Sequence, residues 1–424
     1  MSNASLCLKW FDQFSQQKAE TGCSKRRRCD QSELNVEKVH VDWRIVKQSH
    51  HTWTLTCKMC KVSALDVRNG CQMNKDALFG CLLGTAIGDA LGLPFEGMTA
   101  RRAKRIMGEP VRYRFVFGRG MMSDDTEHSC MVAESLIESC GNVDTFQRSL
   151  ARQLRWWILG IPAGVGLATL KACLRLWLFI PPKRSGVFSA GNGAAMRSAI
   201  LGAFIDDSQS LRRFVQASTQ ITHTDMRAEA GALAIAVAAQ TSARAPIVSP
   251  AEFLRRLIGT GSDLFSDQTE LMQRLRAVAS SVEMGNPTEE FAKSIGCDGY
   301  VSGFVDHTVP VAIHAWLSHP EDWLDAVQSV IRCGGDADTT AAIVGAIVGC
   351  RTGPEGIPLH LIQRFVDWPR SIRWLEILSQ RLASSRVGAP CPVSNISFLA
   401  ILLRNAVFLL IVLFHGFRRV FPPY

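Results

Sequence analysis

Arg332-Cys333-Gly334-Gly335-Asp336-Ala337-Asp338-Thr339-Thr340-Ala341-Ala342 is the stretch on which the reading of this chain turns. Ahead of it, Trp323, Leu324, Val327, Val330 and Ile331 recur at helical spacing. The two glycines are a usual way to end that helix. A second helix starts near Asp338, and its small residues, Gly345 and Gly349 among them, let another backbone come close. Asp336 and Asp338 therefore stand on a short loop pinned between two helices. Capping the second helix would use one carboxylate and leave the other to be explained.

A second acidic cluster lies far upstream, in Gly118-Arg119-Gly120-Met121-Met122-Ser123-Asp124-Asp125-Thr126-Glu127-His128. The glycines permit a tight loop, and Met131, Leu136 and Ile137 continue the stretch as a helix. Again one cap needs only one side chain. Together the clusters offer four carboxylates and the hydroxyls of Ser123 and Thr339, hard oxygen ligands of the kind Mg²⁺ or Mn²⁺ prefers. Four carboxylates at one place repel unless cations neutralise them, and two divalent ions would balance the charge. From Ala228 to Ala239 the chain is almost entirely Ala, Leu, Ile, Val and Gly, the composition of a buried helix. Alternating strand-like runs are scarce, so the expected fold class is all-α.

Length and charge set the surroundings. A chain of 424 residues holds one large domain with appendages, or two ordinary ones. The formal charge is +9, but residues 1–74 carry twelve Lys/Arg against seven Asp/Glu, and residues 386–424 carry four Arg and no acid. The body between is neutral, which argues against specific nucleic-acid binding. Three zones follow: a polar extension over 1–72 with the basic run Lys25-Arg26-Arg27-Arg28 and weak periodicity, expected to be disordered or an over-extended reading of the gene, a catalytic domain over 73–385 opening at Met73-Asn74-Lys75-Asp76, and a linker with an apolar helix over 386–424. The fourteen cysteines are scattered, many in apolar runs, and the N-terminus lacks the apolar stretch of a secretory signal. Reduced thiols and a cytoplasmic location are expected. Cys57 and Cys60 have metal-ligand spacing and Cys71 follows, but without a second such pair no zinc site is expected.

Ile396–Phe414 is strongly apolar and nineteen residues long, the lower limit for a membrane span. Arg404 and Asn405 sit at its centre, where Arg is costly in lipid. The favoured reading is a helix that docks its broad apolar face on the main domain, with membrane association as the alternative.

Five segments resemble, in order, the successive motifs of the ADP-ribosylglycohydrolase family: Gly84-Thr85-Ala86-Ile87-Gly88-Asp89-Ala90-Leu91-Gly92-Leu93-Pro94-Phe95-Glu96, Ser123-Asp124-Asp125-Thr126, Gly191-Asn192-Gly193-Ala194-Ala195-Met196-Arg197, Thr222-His223-Thr224-Asp225, and Gly334-Gly335-Asp336-Ala337-Asp338-Thr339. The resemblance implies a compact bundle of orthogonally packed helices and a centre of two Mg²⁺ ions, or Mn²⁺, held by Ser123, Asp124, Asp125, Asp336, Asp338 and Thr339. It implies hydrolysis of the glycosidic bond between ADP-ribose and an acceptor, either an ADP-ribosylated protein side chain such as arginine or serine or a small ADP-ribosyl conjugate. Glu96, Asp125 and Asp338 would be the catalytic carboxylates. Ser189 and the loop Gly191-Asn192-Gly193 would lie along diphosphate and ribose with His223 beside them, a Gly-rich loop being able to bring backbone N–H groups to phosphate oxygens. Seen alone, that loop could be an ordinary turn and His223 a core histidine. The sequence departs from some relatives at Ala190, where they carry a stacking aromatic; Phe188 or Phe117 would have to grip the adenine instead. Two other functions fit the same residues: an inactive ADP-ribose-binding relative, and a metal-dependent nucleotide phosphohydrolase.

Overall fold

The computed structural model describes residues 43–49, 52–57, 64–115, 117–245, 247–266, 268–386 and 396–419, with side chains from residue 75 onward. The basic run at Lys25–Arg28, Cys60 and most of the linker after Arg386 lie outside them. Within residues 1–72, where no structure was expected, two antiparallel strands pair, β1 (Trp43–Ser49) and β2 (Thr52–Cys57). Their Ile, Val, Thr and Trp content favours strand over coil, which the short length of the runs concealed.

The rest is helical, as the periodicity predicts. The first long helix, α1 (Ala64–Gly92), begins upstream of Met73, so that residue lies inside a helix and not at the start of one. Every residue from Gly80 to Phe95 is buried. A helix without a polar face belongs in the centre of a domain. The acidic helix α2 (Asp124–Ser139) and the small-residue helix α3 (Ala337–Thr352) pack around the same centre, and Met226–Arg244, buried along most of its length, lies against α3.

Glycine sets the closest approach. A Cβ at Gly80, Gly84, Gly88 or Gly92 of α1 would collide with the carbonyl oxygens of Gly349, Gly345, Ala341 and Ala337 of α3. The indole of Trp323 donates from Nε1 to the carbonyl of Gly345 at 3.0 Å, sealing one side of the contact. Just beyond α1, the short strand β3 (Met98–Thr99) pairs with β4 (Gly334–Gly335). The glycine pair thus follows the end of the helix Trp323–Arg332, as expected, and also forms a strand. Gly335 has φ +82° and its Cβ position is filled by the backbone of Val301, so no other residue fits there.

The last helix, α4 (Phe398–Arg418), corrects the sequence reading in one respect. It docks on the body, but through its polar side: Arg404, Asn405 and Phe408 are buried, and most of the apolar surface faces out. Arg404 donates to Asp367 from Nε at 3.1 Å and from Nη2 at 2.6 Å, and Asn405 donates to the carbonyl of Gly160 at 2.9 Å. Those buried partners decide the orientation, and periodicity cannot reveal them.

Candidate active site

The two acidic clusters meet although more than two hundred positions separate them. Ser123 caps α2, its Oγ accepting from the amide of Asp125. That leaves both Asp124 and Asp125 free of capping duty. Thr339 Oγ1 donates to Asp125 Oδ2 at 3.2 Å, and Ser123 Oγ donates to the same oxygen at 3.2 Å. Asp336 stands at the N-cap position of α3 but makes no capping hydrogen bond. Its Oδ2 instead accepts from Asn192 Nδ2 at 2.5 Å. Capping therefore does not explain these carboxylates.

Two oxygens are left over. Asp125 Oδ1 and Asp338 Oδ1 are buried and meet no donor. Unpaired buried carboxylate oxygens are costly, and their presence points to a ligand. Burial, with mutual repulsion from Asp89, Asp124 and Asp336, pushes the Asp125 carboxyl well above the usual range. Burial and the charges of Glu96, Asp336 and Asp125 do the same for Asp338. Asp124 is raised by burial and by Asp89, Glu127 and Glu96. A set of oxygen donors that holds excess negative charge out of water matches what a divalent cation requires.

Glu96 follows the turn Leu93–Phe95. The amide of Gly97 donates to the carbonyl of Gly335 at 2.8 Å, which brings Glu96 beside the second acidic cluster. Although Glu96 is exposed to the cavity, desolvation there and the Asp336 charge raise its carboxyl, while Arg419 opposes the shift.

A cavity of about 430 Å³ opens over this centre. Glu96, Ser123, Asp124, Asp336, Asp338 and Thr339 line one side, and Ser189, Gly191, Asn192, Gly193 and His223 another. Asp125 sits behind Ser123 and Thr339, bonded to both. Every metal, catalytic and diphosphate-side residue expected from the sequence is thus in or directly behind one cavity.

The wall has its own logic. His223 Nδ1 shares a hydrogen bond of 2.8 Å with Thr222 Oγ1, which turns the other ring nitrogen toward the glycine loop. An added Cβ at Gly193 would crowd the imidazole at 3.0 Å, and one at Gly191 would touch it at 3.4 Å. Burial and the nearby Arg197 push His223 down to about 3, so the ring is neutral at physiological pH. Arg197 is itself buried and fastens the loop, donating to the carbonyl of Gly193 at 2.8 Å and to Thr222 Oγ1 at 2.7 Å.

Three roles escaped the sequence. Asp89 accepts from the Ser123 amide at 2.9 Å and from Thr126 Oγ1 at 2.5 Å, pinning the start of α2. Burial lifts its carboxyl to about 7. An aspartate inside an otherwise apolar helix was the available signal. Asn192 also donates to Thr308 Oγ1 at 3.0 Å, so it braces Asp336 as well as lining the cavity. Tyr300, partly exposed, is an aromatic in the cavity wall. Phe117, in contrast, lines a different cavity, and Phe188 is an exposed side chain outside the wall described above, so neither is placed as the adenine grip.

Comparison with known proteins agrees with the geometry. Residues 72–390 match the family model described as ADP-ribosylglycohydrolase. An uncharacterised protein of Archaeoglobus fulgidus is 31% identical over 318 residues, covering 71% of this chain and 94% of its own. ADP-ribosylhydrolase ARH3 of Gallus gallus is 27% identical over 66% of this chain and 86% of its own. ADP-ribosyl-(dinitrogen reductase) glycohydrolase of Rhodospirillum rubrum is 25% identical over 67% of this chain and 88% of its own. A solved structure titled ADP-ribosylglycohydrolase-related protein complex superposes with a TM-score of 0.54 at 22% identity, over 74% of this chain and 99% of that one, which establishes the all-α fold. With a family match over most of its length, the chain belongs to the ADP-ribosylglycohydrolase family and is a hydrolase of that class.

Proposed function

We propose that this protein hydrolyses the bond between ADP-ribose and an acceptor in a reaction that depends on Mg²⁺. The observation that carries the proposal is the meeting of two distant acidic clusters at one cavity, with buried oxygens of Asp125 and Asp338 that no protein group satisfies. Ser123, Asp124, Asp125, Asp336, Asp338 and Thr339 are the residues that would hold the ions, two Mg²⁺ or Mn²⁺. Among the described residues, no three of His, Cys, Asp and Glu stand grouped for a metal as they are. The proposal therefore includes a rearrangement of carboxylate rotamers when the ions bind. Bound there, the ions supply charge neutralisation and Lewis-acid polarisation of a substrate oxygen.

The chain's own residues do the rest. Glu96 and Asp338 both line the cavity and repel each other, which favours a proton on one of them where an acid or base at a glycosidic bond must stand. The neutral His223 and the loop Gly191-Asn192-Gly193 present donors and a close backbone to the diphosphate and ribose. Asn192 holds Asp336 in place from behind. The substrate is an ADP-ribosylated protein or a small ADP-ribosyl conjugate. We place the protein in the cytoplasm, a reading supported by seven free thiols among the described residues, six of them buried.

The test is release of ADP-ribose from arginine-linked and serine-linked peptides, with Mg²⁺ and with EDTA. Metal-dependent release of intact ADP-ribose from either peptide is expected. Release of AMP or phosphate in its place would make the protein a nucleotide phosphohydrolase, and ADP-ribose binding without turnover would make it an inactive relative.

A further inference from the structure

We infer that α4, together with a basic cavity at its C-terminal end, is a docking surface for a membrane of anionic phospholipid. The side of α4 turned from the body carries Leu399, Leu403, Val407, Leu410, Phe414 and Phe417, each between 47% and 72% exposed. Their spacing of three and four residues makes one stripe along the helix, roughly 30 Å long at 1.5 Å per residue. An apolar stripe of that extent on a folded surface marks a contact with a partner or a lipid. The helix cannot thread through a bilayer, because Arg404 and Asn405 on its other side are bonded to Asp367 and Gly160 inside the protein. It is arranged to lie in the interface, with its apolar side toward the acyl region.

The charge next to the stripe selects the kind of surface. A cavity of about 620 Å³ opens where α4 ends, lined by Arg112, Arg114, Arg364, Arg418 and Arg419 with His360 and His415, and by no carboxylate. Arg418 lies one residue after Phe417 and one turn after Phe414. Arg102 donates to the carbonyl of Arg419 at 3.0 Å, which joins the helix Ala100–Met107 to this surface, and Ile106 and Met107 of that helix line the cavity. The cations already repel one another. Arg114 is lowered by burial and by Arg112, and His415 is pushed down to about 4 by burial and by Arg419 and Arg418.

A lipid phosphate in the cavity relieves that repulsion while the stripe leaves water. A second copy of the chain could cover the stripe, but a two-fold contact that sets the helices antiparallel would leave the arginines at each end without an anion. Phe408 and Val412 of the same helix line the active-site cavity. Docking therefore holds that cavity about one helix diameter, roughly 10 Å, from lipid.

Sedimentation of the full chain with vesicles tests the inference. Vesicles of phosphatidylcholine with phosphatidylserine should carry the protein down, phosphatidylcholine alone should not, and added salt should weaken the binding. Leu410→Asp with Phe414→Asp, both outward-facing, should abolish sedimentation without changing the melting temperature. Arg112→Glu with Arg364→Glu should lower the partition by about tenfold or more. Failure of the wild type to sediment, or undiminished sedimentation of the Leu410→Asp, Phe414→Asp variant, would overturn the inference. So would a dimer in solution that the same variant dissolves while vesicles are ignored. Stabilisation by inorganic phosphate or inositol hexakisphosphate without any vesicle binding would make the cavity a site for soluble phosphates and overturn it as well.

Discussion

Arg404 and Asp367 offer the sharpest test of how the C-terminal helix supports the active site. Their side chains are 5% and 0% exposed. Asp367 Oδ2 also accepts from the amide of Met122 at 3.0 Å, and Arg404 Nη2 donates to the Met122 carbonyl, so the pair grips the peptide that leads into Ser123-Asp124-Asp125. Arg404→Met leaves a buried carboxylate without its cation, a loss of about 3–5 kcal/mol. With an unfolding entropy of about 2.1 cal/mol/K per residue over a domain of roughly 300 residues, that lowers Tm by about 5–8 °C. Adding Asp367→Leu removes the stranded charge and should recover most of the loss, short of about 1–3 kcal/mol for the Met122 amide left without an acceptor. Turnover should remain low in both variants, because the peptide before Ser123 is no longer held. Thermal melting and ADP-ribose release are measured on the same preparations. Wild-type melting of Arg404→Met would refute the reasoning, and so would full turnover in a double variant with restored stability.

Other outcomes follow from the site and the core. Asp338→Asn should melt normally in EDTA, since repulsion falls, yet lose the upward Tm shift that Mg²⁺ gives the wild type by binding the native state; a retained shift would sink the metal centre. Glu96→Gln should lower turnover at least a hundredfold, about 2.7 kcal/mol of barrier, while ADP-ribose affinity measured by calorimetry stays near wild type. His314, stacked on Phe291 and hydrogen-bonded to Ser281 and Thr288, is pushed from 6.5 to about 4 by burial. Its folded pKa is depressed, so its contribution is complete above pH 6.5 and is lost as pH falls toward 4; a His314→Gln variant should show a flatter stability curve across that window in urea titrations.

The sequence made the chemistry easier to read than the supports beneath it. Adjacent pairs such as Asp124-Asp125 and Asp336-x-Asp338 exceed what a helix cap can use, so they stood out before any fold was known. Helices such as Trp323–Arg332 and Met226–Arg244 were visible because burial imposes period or uniformity on side chains. Asp89, Asn192 and Arg197 act through partners distant in the chain, and no local pattern announces such bonds. The facing of α4 is hidden from the sequence for the same reason. An apolar helix is ordinarily turned inward, and only the buried Asp367 shows why this one presents Arg404 to the protein.

The glycine contact between α1 and α3 governs how this chain can change in length. Because backbone meets backbone at four successive levels, from Gly80 with Gly349 to Gly92 with Ala337, the two helices are matched residue by residue. Inserting a single residue into either helix would turn everything beyond it by about 100° and set side chains where only bare backbone fits. Asp89 and the start of α2 hang from one helix, and Asp336 and Asp338 from the start of the other. Insertions and deletions that preserve activity are thereby kept out of both helices and left to loops that carry none of the site residues.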